Sequence, residues 1–159
     1  MSFKFSSPIL MTAAAAMMAA GLSVAGAASA EAQACEPVFV SQSTAHRSVR
    51  ASVQRFERGQ WREAAHFANE ALSRRNAAPT MAAAQTNLCG ALANMDDEGA
   101  MDACNAAVEA NEGGWEALNN RGAAYALAGN TAAAAEDFAA ASAIEGAGPE
   151  AAANAASCR

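Results

Sequence analysis

The side chains in this chain with the widest chemical repertoire are two histidines, four cysteines and one acidic triplet. His46 and His66 stand 20 residues apart in stretches rich in arginine and alanine, and neither falls in a metal-binding or hydrolase motif. Cys35, Cys89, Cys104 and Cys158 never form the close pair from which zinc sites and redox motifs are built. Asp96-Asp97-Glu98 offers carboxylates, but it lacks the alternating oxygen ligands and the glycine of a calcium loop and reads as a solvated turn. Catalysis needs a nucleophile, an acid or base, and charge stabilisation gathered in one place. No local signature gathers them here, which leaves a site assembled from scattered residues as the sole enzymatic route. The expectation is a protein with no catalytic residues, no metal and no cofactor.

The elements that would position any site follow from composition. The chain has 159 residues and a formal charge of −6, the size of one modest domain. Alanine supplies 49 of them, which favours helix over a sheet of β-branched residues, so the expected class is all-α. The acidic balance argues against nucleic acid as partner, because a polyanion calls for clustered lysine and arginine. Residues 1–7 carry Lys4 and no acid, and an uncharged run from Pro8 to Ala30 follows. That is the profile of a signal peptide over residues 1–30, with small residues at Ala28-Ser29-Ala30 and again at Ala32-Gln33-Ala34. Cleavage is expected after Ala30. An uncleaved anchor is the alternative, since about 20 apolar residues suffice to span a bilayer. A lipidated Cys35 is disfavoured by Ala32, where lipoprotein boxes want a large aliphatic residue. The mature chain then carries nine arginines against sixteen acids, a net charge of −7. Seven of those arginines lie between Arg47 and Arg75, and eleven of the acids lie from Asp96 onward. No later stretch has the length and apolarity of a membrane span, so the expected location is the periplasm or outside the cell.

From Ala45 the apolar residues recur at helical spacing: Val49, Val53 and Phe56 on one face, then Trp61, Ala64, Ala68, Ala71 and Leu72 on another, with Gly59 between as a helix stop. The plan returns around Leu88 to Cys104 and again from Trp115, so that three hairpins recur every 33 or 34 residues. The stretch from Trp115 to Glu145 resembles a tetratricopeptide repeat, with Leu118, Gly122, Tyr125, Gly129, Ala134, Phe138 and Ala141 at the family's positions. The first copy keeps Val49, Val53, Phe56, Gly59, Trp61, Ala64, Ala68 and Ala71. The middle copy departs most, with Cys89 at the small first-helix position, Leu92 in place of tyrosine and Cys104 in place of an aromatic. The resemblance implies a short right-handed array of about three helical hairpins, at residues 45–78, 81–113 and 115–148. An N-terminal extension at 31–44 precedes them and a capping segment at 149–159 follows. Val38, Phe39 and Val40 would lie against the first hairpin as the opposite cap, in a conformation left open.

Further expectations rest on that resemblance. Cys89 and Cys104 would occupy facing positions of one hairpin, and in an oxidising compartment they would pair, closing a loop of about 15 residues for roughly 3 kcal/mol. Two buried thiols are the alternative. Cys35 and Cys158 would sit at opposite ends of the stack and stay apart. The function implied is an exported, non-catalytic interaction scaffold in the cell envelope, or alternatively an accessory or regulatory subunit of an envelope enzyme. It would take a protein or peptide in the concave groove lined by the first helix of each hairpin. Arg47, Arg50 and Gln54 would face outward or into that groove, with Asn87 and Asn119 as counterparts further along. Arginine forks suit carboxylates and amides suit peptide backbone, so the expected ligand is an extended acidic or C-terminal peptide. The third copy lacks the cation that carboxylate-clamping members of the family use. A solvated helix face, with arginine there for solubility, is the competing account.

Overall fold

The computed structural model describes residues 35–158, so the expected signal peptide and its cleavage site lie outside the described residues. Those residues form seven α-helices and no strand: α1 (Arg47–Phe56), α2 (Trp61–Leu72), α3 (Ala78–Asn94), α4 (Ala100–Ala110), α5 (Trp115–Leu127), α6 (Thr131–Ser142) and α7 (Pro149–Ser157). Consecutive helices pair into three hairpins, α1 with α2, α3 with α4 and α5 with α6, and α7 packs on α5 and α6. The first helices of the hairpins also touch one another, α1 on α3 and α3 on α5. No helix among the described residues is long and apolar enough to cross a membrane.

All three hairpin turns close with the same pair of bonds. In the first, Gln60 N–H donates to the Arg55 carbonyl and Gly59 N–H to that of Phe56, both at 2.9 Å. Asn130 with Tyr125 and Gly129 with Ala126 repeat the pattern in the third turn, as do Asp97 with Leu92 and Asp96 with Ala93 in the second. The pattern requires one left-handed residue. Gly59 (φ 68°) and Gly129 (φ 76°) supply it without strain, whereas the middle turn uses Asp96 at φ 53°. α3 begins earlier than the proline suggests, because Pro79 sits in its first turn, where a missing N–H costs no helical bond.

Alanine dominates the core, so the helices approach closely and the few large side chains carry much of the packing. Gly122 lies beneath Phe138 of the facing helix, where a Cβ would come within 2.9 Å of the ring. Gly90 plays the same part between hairpins, with the Phe56 ring 2.8 Å from where its Cβ would stand. Cys89 and Cys104, both fully buried, are joined in a disulfide between α3 and α4. The α5–α6 hairpin is clasped by Arg121, which makes two 2.8 Å bonds to the Asp137 carboxylate. These bonds hold the guanidinium above its ordinary range, against the opposing pull of desolvation.

The course of residues 35–46 overturns one expectation and widens another. The segment does reach the first hairpin, where Phe39 packs against the cluster that holds Phe56 and Ala64, but it is not confined to that end. It runs in the opposite sense across α7, α5 and α3, and its one cysteine, Cys35, is bonded to Cys158 just after α7. Cys35 and Cys158, expected to stay apart, have Cα atoms 5.0 Å apart. The stack does separate its end helices, but an extended segment of ten residues reaches about 33 Å and returns across them.

Candidate functional site

Three asparagines from three different helices carry the segment. Asn87 of α3 accepts from Gln42 N–H at 2.7 Å and donates to the Gln42 carbonyl at 3.0 Å. Asn120 of α5 does the same for Val40, at 2.9 and 2.8 Å. Asn154 of α7 does it for Val38, again at 2.9 and 2.8 Å. A side-chain amide has one acceptor and one donor side, and so does a peptide unit, so each asparagine matches one residue's main chain as a neighbouring strand would. All three asparagines are fully buried, and burial is tolerable because both ends of each amide are satisfied.

The register is two residues per helix. Alternate residues of an extended chain present N–H and C=O to the same edge, so Val38, Val40 and Gln42 share one edge and one row of amides. Two residues span about 6.7 Å, less than the 8–10 Å usual between packed helix axes. The amides therefore converge toward the segment. Secondary bonds brace the row: Asn119 donates to the Val38 carbonyl at 2.9 Å and accepts from Asn154 at 2.9 Å. Asn120 also donates to the Thr86 carbonyl at 3.1 Å, and Asn111 donates to the Gln42 side chain at 3.2 Å. Phe39 turns inward and packs against three core clusters, those that hold Cys104, Phe56 and Phe138.

The five residues expected to bind a partner divide into two sets. Asn87 and Asn119 lie in the amide row, where the peptide they hold is the chain's own. Arg47, Arg50 and Gln54 are exposed on α1, beyond the end of the row, and Arg50 donates to the Ala45 carbonyl. Asn120 and Asn154 were missed. Their signal was present, since Asn87, Asn120 and Asn154 recur at separations of 33 and 34 residues, the repeat length itself. An asparagine returning at the repeat period on a buried face is a polar group in need of a partner.

Among the described residues no group of three histidine, cysteine or acidic side chains is placed to hold a metal ion. His66 is exposed and stacks edge-on against Phe67 at 5.4 Å. His46 precedes α1 with its Nδ1 buried and unpartnered. The acidic turn is exposed, with Asp97 accepting from Gly99 N–H at 2.9 Å. Two disulfides point to an oxidising, non-cytoplasmic location. Comparison with protein-family models, with curated proteins and with solved structures finds no match for this chain.

Proposed function

We propose that this is an exported, non-catalytic interaction scaffold of the tetratricopeptide type, working in the periplasm or outside the cell, with a capping helix at α7. The observation that supports this reading is the amide row. Asn87, Asn120 and Asn154 hold main chain rather than side chains, so the groove suits an extended peptide of varied sequence. A partner using the same amides displaces residues 35–44, and the exposed Arg47 and Arg50 beyond the row favour an acidic or C-terminal peptide.

The test is to release the chain's own segment and offer it back. In a variant with Cys35→Ser, Cys158→Ser and Val40→Pro the tether is gone and one amide contact is broken. A labelled peptide of residues 35–44, with serine for its cysteine, should then bind saturably, and adding Asn87→Ala with Asn120→Ala should abolish that binding. A released groove that takes up no peptide would refute the proposal.

A further inference from the structure

The amide row satisfies one edge of the extended segment and leaves the other bare. The N–H and C=O groups of Val38, Val40 and Gln42 are taken by asparagines, while those of Phe39 and Ser41 have no hydrogen-bond partner among the described residues. Strand alternation turns these four groups to the opposite edge. An unpaired edge of this kind is a template on which another extended chain can add.

A cleft of about 470 Å³ lies along the same residues, lined by 38–41 together with Phe56, Glu57, Trp61, Trp115 and Glu150. Two indoles, Trp61 and Trp115, line it, and the indole is the aromatic ring that attracts cations best. Neither Glu57 nor Glu150 is in an ion pair among the described residues. Val38, 46% exposed, adds an apolar contact at the rim.

We infer that this bare edge and its aromatic, acidic cleft form a docking site for an extended peptide carrying lysine or arginine. The peptide pairs with Phe39 and Ser41 as an added strand, and a basic side chain enters the cleft between the indoles and the two carboxylates. Charge selects this occupant over a second copy. The described chain is acidic, and the residues lining the cleft include two glutamates and no cation, so a second copy offers this surface no complementary charge. An acidic peptide is excluded on the same ground. The site goes beyond the proposed groove, because it is available while residues 35–44 remain in place. The released-groove titration and the test below can therefore fail independently.

Trp61 and Trp115 are the chain's two tryptophans, so the emission of the native, disulfide-bonded protein reports directly on the cleft. The probe is a capped peptide alternating lysine with valine, and its control has glutamate in place of lysine. The lysine peptide should change tryptophan emission saturably and the glutamate peptide should not. Glu57→Gln with Glu150→Gln should weaken binding about tenfold. Ser41→Pro removes a donor from the bare edge while the N–H groups of Val40 and Gln42 remain for their asparagines, and it should abolish binding. No response to the lysine peptide, or an equal response to the glutamate peptide, would overturn the inference. A concentration-dependent dimer showing the same emission change without peptide would assign the edge to a second copy instead.

Discussion

Cys89–Cys104 links α3 to α4 across a sequence separation of 15, between helices that already pack side by side, whereas Cys35–Cys158 spans 123 residues and ties an extended segment to the residue after α7. The short bridge stands where the third hairpin has Phe138 over Gly122, and it takes over the work of a packed aromatic. The long bridge lies against the cluster around Phe138 but stands in for no aromatic of a hairpin. It restrains a segment that is held mainly by side-chain amides and that no helix of its own would keep in place. A cross-link inside a hairpin thus substitutes for packing, and a cross-link between distant segments supplies connectivity that packing lacks.

The largest effect should come from breaking the long bridge. Cys35→Ser with Cys158→Ser should cost roughly 4 to 5 kcal/mol in chemical denaturation on the chain-entropy account of so long a loop. Hydrogen exchange should localise the change, with the amides of Val38, Val40 and Gln42 losing protection well before those of α3 and α5. Persistent protection there would mean that the asparagines hold the segment unaided. Cys89→Ala with Cys104→Ala should cost less, about 3 kcal/mol, and leave the 38–42 amides protected. The third hairpin offers the non-covalent counterpart. Arg121→Ala strands the Asp137 carboxylate, whose side chain is 9% exposed, and should cost about 2 kcal/mol, below the figure for a fully buried pair because Arg121 is 23% exposed. Since Asp137 raises the pKa of Arg121, this contribution stays whole through neutral and moderately alkaline pH. On the alkaline side it is lost as pH rises through the raised arginine value. A stability difference between wild type and Arg121→Ala that vanished near neutrality would contradict that sign. The smallest change is a gain: Asp96→Gly removes a side chain from the left-handed region and should raise stability by about 0.5 to 1 kcal/mol, measured as a shift in Tm.

What could be read in advance was local. Gly59 and Gly129 announce their turns because a left-handed residue is needed there, and the helical spacing of Trp61, Ala64, Ala68 and Ala71 marks a buried face. Cys89 and Cys104 meet because a hairpin's register sets which residues face each other, and register depends on a few intervening residues. The contact between Cys35 and Cys158 depends on nothing local. It follows from a row of amides assembled from three helices, each contributing one side chain that looks unremarkable in its own sequence context. Choosing Asn119 over Asn120 shows the limit of helix-face reasoning: neighbouring residues differ by about 100° around the axis, yet here both reach the segment. The segment itself carries no periodic signal, since its main chain is satisfied by side chains and forms neither helix nor sheet.

The path of residues 38–42 also bears on how the chain comes to be folded. A stack of hairpins is nearly one-dimensional, with each unit leaning on its neighbours and free to fold or fray piecemeal. Val38 bonds to Asn154 across 116 residues, and the same short segment bonds to α3 and α5 on the way. The complete set of contacts needs α3, α5 and α7 all in place, and losing any one helix removes one point of attachment. The segment therefore ties α3 and α5, from successive hairpins, and the C-terminal helix α7 to one another through a single stretch of main chain. Unfolding of the second and third hairpins should accordingly be all-or-none, with helix loss and the release of the 38–42 amides coinciding in one denaturation transition.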